Sequence, residues 1–274
     1  MSKSSHEEKP LSTLIIYALV GGAIVLLSLF YIAQNFQTQR SITGSGNLVT
    51  VEPNVLGFTA IQVGGGFSVG IAHSASYSVK ITADDNVIDH ILVSNTGGTL
   101  GISLESGSYT MVTLKAEITM PSIAGIDLSG GTTGTLSGFE NQNALTVMLS
   151  GGSVLHIPEI SVTNLTFDLS GGSRTDGTAN AVSNAHFILS GGSSATLHGN
   201  AANMLIDSIG GSNLNLFEFM VHNANVTMSG GGTANINLDG KLNADLNGGS
   251  RIIYDGTPEL GTIILAGGST VTKR

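Results

Sequence analysis

The sequence contains no cysteine and no tryptophan, and only 11% of its 274 residues are charged. Without cysteine there can be no disulfide, and cysteine usage says nothing about the redox compartment. Basic side chains are the scarcest charge. Setting aside Lys3, Glu7, Glu8, Lys9 and Arg40, the chain from residue 41 onward holds 17 acidic and 7 basic residues, a balance of −10. That excludes nucleic acid and anionic lipid headgroups as partners, since both are bound by basic surfaces. Long apolar runs are absent too, with one exception at the N-terminus. The chemistry-bearing residues are not grouped. His6, His73, His90, His156, His186, His198 and His222 show no metal-ligand spacing and form no column within the repeats described next. The glycine runs lack the aspartates of a calcium-binding nonapeptide roll. They also lack the lysine and following helix of a phosphate loop. The expectation is no catalytic group, no cofactor and no metal.

What is abundant is glycine, 38 residues of it, placed in phase. Leu-Ser-Gly-Gly-Ser and its variants recur with the first glycine at Gly130, Gly151, Gly171, Gly191, Gly210, Gly230, Gly248 and Gly267, at intervals of 18 to 21 residues. A fixed period of this size marks a stacked-repeat architecture. Apolar residues alternate on both sides of each pair, as in Leu145, Val147, Leu149 before Gly151 and Leu155, Ile157 after it. Period two on both sides predicts two short strands per unit, each showing one face to a shared interior. Units this short bury that face only by stacking on their neighbours.

The paired glycines predict a tight corner at positive φ with close backbone approach. The flanking serines (Ser150 and Ser153, Ser170 and Ser173, Ser190 and Ser193) read as hydrogen-bonded corner residues, not nucleophiles. The fold class that follows is all-β: a single-domain right-handed parallel β-helix with about 20 residues per repeat. A β-sandwich with hairpins at each glycine pair ranks below it, because hairpins leave the twenty-residue period unexplained. Whether one coil takes one repeat or two stays open. At Gly210 the pattern slips, with Ser208 and Ile209 in the places held in the unit at Gly171 by Leu169 and Ser170, which predicts a bulge returning Ile209 to the interior.

Leu11–Ala33 is a 23-residue apolar run, long enough to span a bilayer. Lys3 and Lys9 precede it, so the positive-inside rule places residues 1–10 in the cytoplasm and residues 41–274 on the periplasmic or extracellular side. No small-x-small site suits a cleaved signal peptide, so the run reads as a single-pass signal anchor in the cell membrane. Residues 34–47 read as a linker and 48–274 as the β-helix domain, in which 48–121 is an irregular lead-in over the open end and 122–274 the regular repeats. Asp84 to His90 reads as one helical turn with Asp84 as its N-cap.

Gly44-Ser45-Gly46-Asn47, Gly57-Phe58 with Ala60-Ile61, Gly65-Gly66-Phe67, Ala83-Asp84-Asp85-Asn86 and the Ser-Gly-Gly repeats together resemble the "putative auto-transporter adhesin, head GIN domain" family over about residues 44–270. The resemblance implies a superhelix similar to that of pectin lyases, without catalytic residues, and a role in adhesion. Nothing in the sequence looks like an outer-membrane translocator barrel. One outward pattern offers a candidate partner face: three residues before the first glycine, Asp127, Asp168, Asp207 and Asp245 occupy every second unit. Alternate spacing lowers the repulsion between stacked carboxylates, and it also presents a spaced acidic face to a cation or basic partner. The functional expectation is a membrane-anchored, exported, non-catalytic scaffold for adhesion, or for binding an envelope protein or glycan. The alternative is a polysaccharide-active enzyme of the pectin-lyase-like type, a chemistry that needs clustered acids in a groove.

Overall fold

The structure, a computed structural model, describes residues 41–274. The expected tail (1–10), membrane span (11–33) and most of the linker (34–47) lie outside the described residues. Among those described, no helix is long and apolar enough to cross a membrane.

The chain enters through β1 (Ser41–Thr43) and β2 (Leu48–Val51). A first coil follows, β3 (Ala60–Gly64) and β4 (Ser68–His73), turned at Gly65 and Gly66. Next come β5 (Ser78–Asp84), β6 (Ile91–Thr96), β7 (Thr99–Leu104), β8 (Ser108–Thr110) and β9 (Leu114–Met120). From β10 (Gly125–Ser129) and β11 (Thr133–Ser137) onward the winding is regular, continuing through β12 (Gln142–Leu149). Four long strands follow: β13 (Val154–Leu169), β14 (Arg174–Ser190), β15 (Ser194–Ile209) and β16 (Asn213–Ser229). Each runs from one glycine corner to the next. The last coils are β17 (Thr233–Leu238), β18 (Lys241–Asn247), β19 (Arg251–Gly256), β20 (Glu259–Leu265) and β21 (Thr270–Lys273).

Successive coils pair in parallel, each residue with the one about a repeat further on, so Leu149 lies beside Leu169 and Leu169 beside Leu189. One repeat therefore makes one coil. The parallel pairing excludes hairpins at the glycine pairs, and the fold is a single all-β solenoid. The inward rows Leu145, Val147, Leu149 and Leu155, Ile157 are at most 1% exposed, as are their counterparts Leu165, Phe167 and Leu169. Burying each such side chain contributes about 1.5–3 kcal/mol. Phe167 stacks on Phe187 at 5.6 Å, so aromatic contact runs along the stack as well.

The corners show why two glycines are needed. Gly151 and Gly152 have φ of 62° and 78°, and the Ser153 N–H donates to the Ser150 carbonyl at 3.3 Å, the arrangement of a type I′ turn. The buried Ser153 hydroxyl donates to the same carbonyl at 2.9 Å, and Ser173 and Ser193 repeat this on Ser170 and Ser190 at 2.7 Å. The first glycines stack. A Cβ on Gly171 would lie 3.0 Å from the Gly151 backbone nitrogen, and the same column runs from Gly65 to Gly267.

Two expectations are corrected. Ser208 stays in the inward row beside Leu189 and Met228, 2% exposed, while Ile209 is 68% exposed. No bulge intervenes, because a slip would turn the buried Met204 and Ile206 of the same strand outward and break the ladders on both sides. The corner changes instead: Gly211 leaves the positive-φ region, and the buried hydroxyls of Ser208 and Ser212 have no hydrogen-bond partner among the described residues. The second correction concerns Asp84. A 3-10 turn does form at Ile88–His90, but its N-cap is Val87 and no side chain caps it.

The coils do not stack in chain order. The coil β3–β4 lies between β7 and β9 on one side and β10 and β11 on the other. Beyond β7 and β9, the antiparallel strands β6, β5 and β2 finish the two sheets at that end.

Candidate binding face

The strands that precede each corner form one continuous sheet, and its outward side chains fall into rows. The row three residues before the first glycine reads Asp127, Met148, Asp168, Ile188, Asp207, Thr227, Asp245, Ile264, each beside the next. The expected alternation of aspartate is therefore a true spatial row, with carboxylates on every second coil, about 10 Å apart. The four are not equivalent. Asp127 accepts a hydrogen bond from Gln62 at 2.9 Å, and Asp207 pairs with His186 at 2.9 Å. Asp168 and Asp245 have no partner among the described residues and face water.

A second row was not read from the sequence. Four residues further from the corner, Asn184 donates to Asn164 at 2.8 Å, Asn203 to Asn184 at 3.2 Å and Asn223 to Asn203 at 3.3 Å. The Lys241 N–H closes this ladder on Asn223 at 3.0 Å. Between the two rows, Asn243 donates to Asn225 at 2.8 Å. Where these rows meet, Asn225, Thr227, Asn243, Asp245, Thr262 and Ile264 line a shallow depression of about 140 Å³. The signal was present in the sequence as asparagine recurring at the repeat interval.

The histidines carry a similar lesson. They form no column, as expected, yet His156, His186, His198 and His222 each pair with a carboxylate one coil later. The partners are Asp176 at 2.5 Å, Asp207 at 2.9 Å, Glu218 at 2.7 Å and Asp239 at 2.8 Å. His90 pairs with Glu105 at 2.9 Å. No hydroxyl among the described residues completes any of these into a nucleophile–base–acid chain. Among the same residues, no three of histidine, cysteine, aspartate and glutamate converge to hold a metal ion. The pairs are exposed or, for His186 with Asp207, half-buried, each contributing about 0–1 kcal/mol.

One buried acid stands apart from the face. Asp84 is 1% exposed and receives the Gly46 N–H on one carboxylate oxygen and the Thr113 N–H on the other, both at 2.7 Å. These donors, Thr113 first and then Gly46, hold its pKa below the ordinary 3.8 against the opposing effect of burial. Around it, Ser45 donates to Asp85 at 2.5 Å, and Asn86 receives the Ser45 N–H at 3.1 Å and donates to the Thr43 carbonyl at 2.8 Å. The segments Gly44–Asn47 and Ala83–Asp84–Asp85–Asn86, far apart in sequence, thus form one hydrogen-bonded cluster that fixes the entering chain. The cluster satisfies itself.

The fold has solved relatives. A structure titled as a putative adhesin from Parabacteroides merdae superposes with a TM-score of 0.78 at 18% identity, covering 85% of this chain and 99% of that one. One titled as a putative lipid binding protein from Parabacteroides distasonis gives 0.75 at 17% identity, with coverage of 86% and 100%. A putative adhesin from Bacteroides fragilis gives 0.64 at 20%, with coverage of 85% and 100%. At these identities the likeness is one of fold. No curated protein matches the chain. The family model described as "Putative auto-transporter adhesin, head GIN domain" matches residues 57–258, so the chain belongs to that family.

Proposed function

We propose that this chain is an exported, membrane-anchored, non-catalytic binding scaffold with an adhesion role, which presents the outward rows of its corner-preceding sheet to a glycan or envelope protein. The observation that carries the reading is the row geometry. Identical amide and carboxylate groups recur at fixed spacing along an extended, solvent-facing sheet, a surface suited to an extended or repetitive ligand. Asp168 and Asp245, which have no partner among the described residues, are the carboxylates offered to that ligand. In this reading Leu11–Ala33 anchors the chain, residues 1–10 lie in the cytoplasm, and 41–274 stand on the periplasmic or extracellular side. Residues 34–47 link anchor to domain, with 41–47 already held to the domain by β1 and the Asp84 cluster, and 48–274 wind right-handed. Family membership supports an envelope or surface setting.

The test is a panel of defined envelope glycans offered to the full chain in vesicles. Saturable binding without product release, weakened in the Asp168→Asn, Asp245→Asn double variant, is the expected result. Release of shortened or unsaturated sugar would establish an enzyme instead. A reporter fused after Arg274 that is active in the cytoplasm would overturn the topology.

A further inference from the structure

We propose that the end of the solenoid where the chain enters is a lipid-contacting face, which rests on the neutral surface of the membrane holding Leu11–Ala33. The inference builds on the anchored reading above and adds which surface of the domain meets the bilayer.

Four observations converge. First, the entry point lies at this end. β1 pairs with β8, where the Gly44 N–H donates to the Thr110 carbonyl at 3.1 Å and the Thr43 and Thr110 hydroxyls lie 3.1 Å apart. The connector Gln34–Arg40 has seven residues, which reach at most about 25 Å when fully extended, so an anchored chain keeps this end close to the bilayer. Second, apolar inward rows run out here into solvent. Val49 lies beside Ala83 and Val51 beside Ile81, both of which are fully buried. Val49 and Val51 nevertheless remain 37% and 42% exposed, because β2 is the last strand of its sheet.

Third, Met111 is 83% exposed while its backbone sits at φ 51°, a conformation that favours glycine or asparagine. Neither backbone preference nor packing calls for methionine there. The neighbouring Thr113 N–H is bound to Asp84 and the Thr110 carbonyl to Gly44, so the loop is pinned with this apolar side chain held outward. Leu56, 59% exposed, is displayed in the same manner beside the edge strand β6, its carbonyl receiving the Asn95 amide at 2.8 Å. Fourth, the charges nearby do not form a basic patch: Lys80 is paired with Glu52 at 3.5 Å, and Asp85 is bound by Ser45. Contact is therefore apolar and shallow, and calls for neutral lipid.

The absence of native tryptophan makes the test clean. Single variants Val51→Trp and Met111→Trp of the full chain, with Met220→Trp on the outer face of β16 as control, are reconstituted in phosphatidylcholine vesicles. The expected result is a blue-shifted emission for Val51→Trp and Met111→Trp that is lost in brominated lipid, insensitive to salt, with Met220→Trp unaffected by either. Emission from all three like that of Met220→Trp, while the protein still floats with the vesicles, overturns the lipid face and leaves the anchor standing. A chain that does not float overturns both. A blue shift without quenching by brominated lipid means that protein, a second copy or another segment, covers the face, and overturns the proposal. Hydrogen exchange on the unsubstituted chain guards against a misfolded variant: residues 48–51 and 110–112 gain protection in vesicles over detergent, and equal exchange overturns the proposal.

Discussion

Gly171 and Gly172 look interchangeable in the sequence but differ in what surrounds them. Both require positive φ, yet only Gly171 faces backbone within contact distance, while nothing lies within 4 Å of a Cβ on Gly172. Gly171→Val should cost about 1–3 kcal/mol in backbone strain, with the clash against Gly151 added. Gly172→Asn should be mild, and Asp168→Asn should shift stability by no more than about 0.5 kcal/mol. Thermal melts of the three variants check that order, and a Gly171→Val that melts like the parent would refute the corner assignment. Ser208 gives the opposite sign. Its hydroxyl is buried and unpartnered, so Ser208→Ala should raise stability by about 1 kcal/mol. Asp84 supplies the pH dependence. Its folded pKa is depressed, so its contribution is fully present above the ordinary 3.8 and is lost as pH falls through the lower folded value. Asp84→Asn should melt lower than the parent at neutral pH, and the gap should close as the solution is acidified below pH 3.8.

At the scale of rows and strands, the asparagine ladder makes a local claim. Asn203 both donates to Asn184 and accepts from Asn223, so Asn203→Ala breaks two exposed, long hydrogen bonds and should cost about 0.5–1.5 kcal/mol in a melt. This ladder marks the boundary of what the sequence reveals. Inward rows and glycine corners were legible because each is a property of one unit, repeated: Leu149 and Leu169 are apolar for the same reason. Relations between units were less legible. His156 with Asp176 and Asn184 with Asn164 become visible only once one repeat is known to equal one coil. Ile209 was misjudged because a single residue's preference for the interior was weighed without the two ladders that fix its strand. Asp84 was misjudged because its donors, Gly46 and Thr113, come from segments far away along the chain.

For the molecule as a whole, the two ends differ. Antiparallel strands finish the end where the chain enters, whereas β20 and β21 have neighbours on one side only among the described residues. Amides of β20 and β21 should therefore exchange first, and those of β14 and β15, paired on both sides, last. Uniform exchange along the stack would argue against nearest-neighbour stability. The order of the coils adds a direction in time. The first coil to leave the ribosome, residues 60–73, needs both of its neighbours from later sequence, β7 with β9 and β10 with β11. It must wait, unpaired, for roughly sixty more residues. Once they arrive that end is closed, and every later coil has a single template at the far edge on which to settle. Assembly then proceeds one coil at a time in the direction of synthesis, like courses laid on a finished footing.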